Sequence, residues 1–338
     1  MLHGVGRAAA AGGARRGGSA AGTPAPSHAR RVWTALGIVY VAWGSTYVAI
    51  RVMDRTVPPL IGSAVRFIAA GLVMYAFLAL RRRALPRVRA RELASLALVS
   101  VLLLSGGNGL VTLGELHVPA GFAALLVASM PLWLVVLRTI TGDRPRGATL
   151  VGLGIGFVGV AILVSRGAHG EGVSIPHALV VVGAALSWAT GSLLSSRLPL
   201  PDDVAAGTAI EMVIGGLALA VIGPLGGEHW STAFAHASAD SLLSIVYLAL
   251  AGSILAFTAY VWLLRNAPIS QISTYAYVNP AVAVVLSALI LGEGVSGLMV
   301  VGGAIIVVAV AVVIRSEARA QAGARAVELA ALAPKESV

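Results

Sequence analysis

Two charged side chains stand inside long apolar runs of this sequence: Arg66 in the run 59–80 and Glu211 in the run 205–223. A charge at the centre of a bilayer-crossing helix costs on the order of 2.5–3.5 kcal/mol by insertion scales, so such residues face a bundle interior or a cavity. An arginine fork placed there can hold a carboxylate through paired N–H donors. A glutamate there can take up and release a proton, which makes Glu211 a proton-coupling candidate. The structural alternative is that each only bonds neighbouring helices or backbone carbonyls.

Other groups with chemistry at depth are Ser45, Thr46 and Tyr47 in the first run and Asn108 in the third. Hydroxyl and amide groups in such runs often only join helices, at roughly 1 kcal/mol or less each. Trp43 and Trp188 can stack on an apolar or cationic ligand. Pro131 and Pro280 fall near the middle of their runs, where each removes a helix hydrogen bond and frees the carbonyl of Val127 or Ala276. That makes them candidate hinges. Ser129, Tyr275, Tyr277 and Asn279 lie close by in sequence and join Trp43, Ser45, Tyr47, Arg66, Asn108 and Trp188 as candidate substrate-binding residues. Packing alone is the competing reading. Glu115 and His117, at the end of the third run, read as solvated at a surface. Gly152, Gly154, Gly156, Gly302 and Gly303 read as close helix contacts.

The elements that must position these groups follow from composition. Hydrophobic residues make up 58% of the 338 residues and charged ones only 11%, against roughly 25% charged in a soluble domain. Apolar runs of about 20 residues match a bilayer core about 30 Å thick. In lipid, backbone groups must be satisfied within the segment, so the runs are helices. Ten spans are expected, at 32–50, 59–80, 93–113, 120–140, 148–165, 176–196, 205–223, 241–263, 270–291 and 296–314. The fold class is an all-α membrane protein. Residues 1–31 read as a disordered cytoplasmic tail and 316–338 as a cytoplasmic C-terminal tail. The first run is too long for a signal-peptide core and reads as an uncleaved span.

The formal charge is +10. No nucleic-acid-binding motif accompanies it, and the arginines sit in short connectors. Arg30, Arg31, Arg81, Arg82, Arg83, Arg87, Arg89, Arg91, Arg138, Arg144, Arg146, Arg197 and Arg265 fall on one side of the alternating spans. Arg51, Arg55 and Arg166 fall on the other. By the positive-inside rule both termini are cytoplasmic. The absence of cysteine excludes disulfides and thiolate metal sites.

The chain also repeats itself. Pro119 precedes Pro131 by the spacing at which Pro268 precedes Pro280. Gly142–Asp143 and Gly292–Glu293 then follow, and each opens a glycine-rich apolar run. Residues 32–165 and 176–315 thus read as two five-helix units, and an odd number of spans turns the second upside down. Inverted repeats suit transporters, whose equivalent halves exchange states around a central site.

The segments LGIVYVAWGSTYVAIRV, PPLIGSAVRFIAAG, SGGNGLVT, GTAIEM and STYAYVNPAVAVVLSALILGE together resemble the EamA-type drug/metabolite transporters. The resemblance covers about residues 32–315. It implies a ten-helix inner-membrane fold and alternating-access export of metabolites, amino-acid-like compounds or drugs, with no cofactor. The partners so implied are a small-molecule substrate and the lipid bilayer, with no nucleic acid; a homodimer is left open. Import in the same fold and a non-transporting channel or scaffold are the other readings. No Walker motif or hydrolase constellation accompanies the spans, so neither an ATP-driven pump nor an enzyme is expected.

Overall fold

The computed structural model describes residues 26–82, 88–143, 145–170, 173–267, 269–272 and 274–332. No strand occurs among the described residues. Helix α1 is Pro26–Met53, α2 is Pro59–Arg82, and α3 is Ala90–Glu115. Helix α4 consists of Ala120–Val127 and Met130–Ile140, and α5 is Gly147–Gly170. Helix α6 is Ile175–Ser195 and α7 is Val204–Leu225. Helix α8 runs without interruption through Ala239–Tyr247, Leu248–Leu255 and Ala256–Asn266. A single turn, Ile269–Ile272, leads into α9, Tyr275–Leu291; α10 is Gly297–Leu332. Among the described residues nine helices are long and apolar enough to cross a membrane, and α9 is the shorter tenth.

Two helix ends extend past expectation. Helix α1 starts at Pro26, inside the segment expected to be tail; a proline suits the first helical turn, where its missing N–H goes unused. Helix α10 continues to Leu332 through the expected polar tail, because Ala, Glu, Arg and Gln are strong helix formers. Residues 1–25 and 333–338 lie outside the described residues, as does Pro268 of the repeat pattern.

Hydrogen bonds between remote segments sort the helix ends into two sets. At the end where α1 starts, here the proximal end, His28 meets the Asn266 carbonyl at 3.1 Å and Arg82 pairs with Asp203. Also there, Arg138 donates to Glu317 at 2.7 Å and Thr149 to Ser316 at 2.9 Å. At the distal end, Thr56 donates to Ser241 at 2.8 Å and Arg51 to the Glu115 carbonyl. Each bond joins ends that ten alternating crossings bring to the same side. Arg81, Arg82, Arg89, Arg91, Arg138, Arg146, Arg197 and Arg315 lie proximally; Arg51 and Arg55 lie distally.

The packing maps onto itself when the two halves are exchanged. Helix α2 packs on α7, α4 on α9 and α5 on α10, each an equivalent pair. Helix α1 packs on α8 and α9, as α6 packs on α3 and α4. The chain is two inverted five-helix repeats. Lipid supplies little hydrophobic drive between helices, so close contact must hold them. A Cβ on Gly71 would lie 2.7 Å from the Ala209 carbonyl oxygen, and one on Gly216 would lie 3.0 Å from that of Ala64. Gly152, Gly156, Gly302 and Gly303 likewise have neighbours that a Cβ would crowd. Gly154 does not: nothing lies within 4 Å of a Cβ there, so it is no helix contact.

The equivalent helices α3 and α8 share one irregularity. Each widens to π-helical geometry, over Val101–Gly109 and over Leu248–Leu255. Such wide turns expose backbone groups that a regular helix hides, and they concentrate at functional sites.

Candidate functional site

The wide turn of α8 is the centre of one cluster. Trp43 of α1 donates its indole N–H to the Gly252 carbonyl at 3.0 Å, and the Thr46 methyl stands against the same glycine. Arg66 of α2 is 4% exposed and donates its Nε–H to Ser253 Oγ at 3.3 Å. Its guanidinium lies 4.4 Å from the Phe67 ring centroid. Its Nη1 is buried with no acceptor. On the other side of Trp43 stand Tyr260 and Tyr275, with ring centroids at 5.2 Å and 5.3 Å. Trp43 is about 15 Å from the end of α1 at 1.5 Å rise per residue, close to mid-depth in a core about 30 Å thick. A buried cation with a free donor, beside an aromatic wall, can receive a carboxylate and an attached apolar group.

The second repeat offers the matching arrangement around α3. Trp188 of α6 lies against Gly107, where a Cβ would stand 2.6 Å from the indole. Asn108 follows in the same wide turn, half-buried. Both tryptophans therefore seat on a glycine in the π-helical turn of a partner helix.

The structure does not gather the remaining candidates into one pocket. Ser45 turns to the Tyr247 hydroxyl at 2.6 Å and to the Ala42 carbonyl; it is two residues from Trp43 and so on the opposite face of α1. Ser129 is fully buried and donates to the Leu126 carbonyl at 2.6 Å. Tyr277 faces Tyr40 and Arg315 toward the proximal end. Asn279 sets its carbonyl against Gly44, and its Oδ1 is buried without a partner. Glu211 is half-buried on α7, and no ion pair joins it to Arg66. Pro131 is not mid-helix: α4 breaks at Ala128–Ser129, and the proline stands in the first turn of the second piece. Pro280 lies buried within α9.

A second expectation, besides that for Gly154, is overturned. Glu115 is fully buried, not solvated: Arg51 of α1 bonds its carbonyl, and the preceding Gly114 packs on Val181 and His177 of α6. His117 is exposed, as expected, and stacks on His177 at 3.9 Å. Tyr47 stands beside Glu115. Near them, Arg51, Asp54, Arg55, Leu116, Leu291 and Glu293 line a distal cavity of about 340 Å³. The carboxylates of the second repeat clamp this end. Glu228 accepts the N–H groups of Leu60 and Ile61 at 2.9 and 2.8 Å. Glu293 accepts those of Ala120 and Gly121 at 3.1 and 3.3 Å. Helix amino ends favour such acceptors. The Gly292–Glu293 pair in the sequence was the one signal for the Glu293 half of this clamp; Glu228 was not singled out.

The EamA-like transporter family matches the chain twice, over residues 32–165 and 175–315. The chain belongs to that family. This transporter is 40% identical over 280 residues to an inner membrane transporter, YedA, of Escherichia coli K12, covering 82% of this chain and 89% of that one. It is 31% identical over 284 residues to a Streptantibioticus cattleyicolor protein named "Probable terminal-alkyne amino-acid exporter", covering 82% and 90%. A Salmonella typhimurium protein named "Probable amino-acid metabolite efflux pump" is 25% identical over 284 residues, covering 80% and 90%. The fold is also that of a solved crystal structure at TM-score 0.55 and 20% identity, which covers 85% of this chain and 97% of that one. The transporter is thus a multi-pass protein of the inner membrane.

Proposed function

We propose that this transporter exports small metabolites, amino-acid-like compounds foremost, by alternating access around the Trp43–Arg66 cluster. The observation that carries the reading is Arg66, a buried guanidinium at mid-depth whose Nη1 has no acceptor. A substrate carboxylate supplies that acceptor, and Trp43, Tyr260 and Tyr275 receive the rest of the molecule. The names of the relatives, exporter and efflux pump of amino-acid compounds, support the same substrate class. The arginine-rich proximal end is cytoplasmic by the positive-inside rule, and the distal end is the outer one.

The two Gly–acid connectors supply the alternation. Gly142 and Gly292 both adopt left-handed backbone, at φ 104° and 68°, and each precedes its acid, Asp143 or Glu293. Glu293 is seated on the amino end of α4. Asp143 instead accepts from Arg138 at 2.7 Å. We read this as the outward-closed state. In the opposite state Asp143 seats on the amino end of α9 while Glu293 lets go. Glu211, the inverted counterpart of Arg66, carries a coupling proton.

Flux of an amino-acid and dye panel in proteoliposomes, with and without a pH gradient, tests this reading. Wild type should move at least one compound faster with the gradient, and Glu211→Gln should lose that acceleration. Equal flux in both conditions removes proton coupling, and no movement of any compound overturns export.

A further inference from the structure

Four carboxyl groups meet at the distal end, and they fall into two kinds. Glu228 and Glu293 stand at helix amino ends and accept two backbone N–H groups each. Asp54 and Glu115 stand at the carboxyl ends of α1 and α3, where the helix dipole opposes a negative charge. All four of their oxygens are buried, and none has a hydrogen-bond partner. Arg51, the nearest cation, spends Nη1 on the Glu115 backbone carbonyl rather than on a carboxylate. A buried ionised carboxylate left this way costs several kcal/mol, which a bound proton removes.

The groups facing Glu115 are Asp54, Arg51, Glu293 and Tyr47. Those facing Asp54 are Arg51 and Glu228, with Arg55 beside it on the cavity wall. Two guanidinium groups, on Arg51 and Arg55, thus face four carboxyls. Full ionisation leaves two negative charges uncompensated, and one proton on each of Asp54 and Glu115 brings the cluster to neutrality. Burial acts in the same direction on Asp54, which lies outside the spans: it pushes that carboxyl well above the usual carboxylate range, with Arg51 opposing.

We propose that Asp54 and Glu115 form a proton-binding site that exchanges with the distal aqueous phase through the 340 Å³ cavity that Asp54 lines. The step is O–H bond formation and loss, with no other reactant. Insofar as the export reading holds, this site sits where an outer proton enters. Tyr47, beside Glu115 and one turn from Trp43 on α1, links it to the mid-depth cluster.

Infrared titration of the purified full-length protein tests the site without any transport assay. The readout is the carbonyl stretch of protonated carboxyl groups. The site predicts that this band is present at neutral pH in the wild type and in Glu211→Gln. It should shrink in Asp54→Asn and in Glu115→Gln, and shrink most in the double variant. A band absent at neutral pH in Glu211→Gln overturns the site, as does one confined to the ordinary carboxylate range near pH 4. So does a band of unchanged size in both single variants. Loss of the band on adding sodium ion at fixed pH also overturns it and assigns the carboxyls to a metal cation. The Glu211→Gln titration decides even if the distal variants do not fold. A failed flux assay beside an intact band would sink the export reading alone.

Discussion

At the distal end, Glu228 and Glu293 of the second repeat each bind two backbone N–H groups at the amino ends of α2 and α4 in the first. At the proximal end Asp143, the counterpart of Glu293, turns to Arg138 in the same connector region. The amino end of α7 is capped by its own Asp203, which accepts from Ala206 at 3.3 Å and pairs with Arg82. One end is therefore stitched between repeats through buried backbone donors, and the other through partly exposed arginines. Two inverted copies of one unit hold different bonds at equivalent places, which is the asymmetry that the proposed alternation requires.

The largest effect is expected where the repeats differ most at mid-depth. Arg66→Ala should cut flux of a carboxylate substrate about tenfold to a hundredfold, the loss of one charge-assisted hydrogen bond at about 1.5–3 kcal/mol. Glu211→Ala, in the counterpart position, should lower flux only where a pH gradient drives it. Initial rates in proteoliposomes compare the two. Next comes the clamp: Glu293→Ala should destabilise the distal seal by about 1–3 kcal/mol. Asp143→Ala should cost less, about 1 kcal/mol or below, because Asp143 is itself exposed. Thermal unfolding in detergent separates them. Gly71→Ala should cost about 1–3 kcal/mol by forcing α2 from α7, and Gly154→Ala almost nothing; the same melts check both.

The smallest effects concern pH. Arg82 holds the Asp203 carboxyl below the usual carboxylate range. That stabilisation is present above the unfolded-state value and is lost as pH falls through the folded-state one. Arg82→Gln should therefore lower the melting temperature slightly at neutral pH and not at all in strong acid, because the pair is solvent-screened. Asp54 behaves oppositely. Its raised folded-state value means that the native form holds the proton more tightly, so stability falls as pH rises. Asp54→Asn should raise the melting temperature more in alkaline than in acidic buffer.

The ten crossings and their inversion were legible because lipid leaves few choices: long apolar runs must be helices, and an odd repeat must invert. Arg66 and Glu211 were conspicuous for the same reason, as charges with nowhere ordinary to go. Glu115 was misread because a carboxylate at a helix end looks solvated in one dimension; its helix end packs on Arg51 of α1 and on Val181 and His177 of α6, which are remote in sequence. The π-helical turns of α3 and α8 were hidden, since Leu, Ala and Gly read alike in either helix type. Ser45 and Ser129 each bond a carbonyl of their own helix segment, a local choice that the residue type alone does not reveal.

The claim that the Gly–acid connectors take turns is tested most directly by access to mid-depth. The chain has no cysteine, so Thr46→Cys places a single thiol beside Gly252. In oriented vesicles a membrane-impermeant thiol reagent should reach it from the proximal side, where Asp143 is unseated. Adding Glu293→Gln should move labelling toward the distal side, and adding Asp143→Asn should leave it proximal. Labelling from the same side at the same rate in all three would contradict the account.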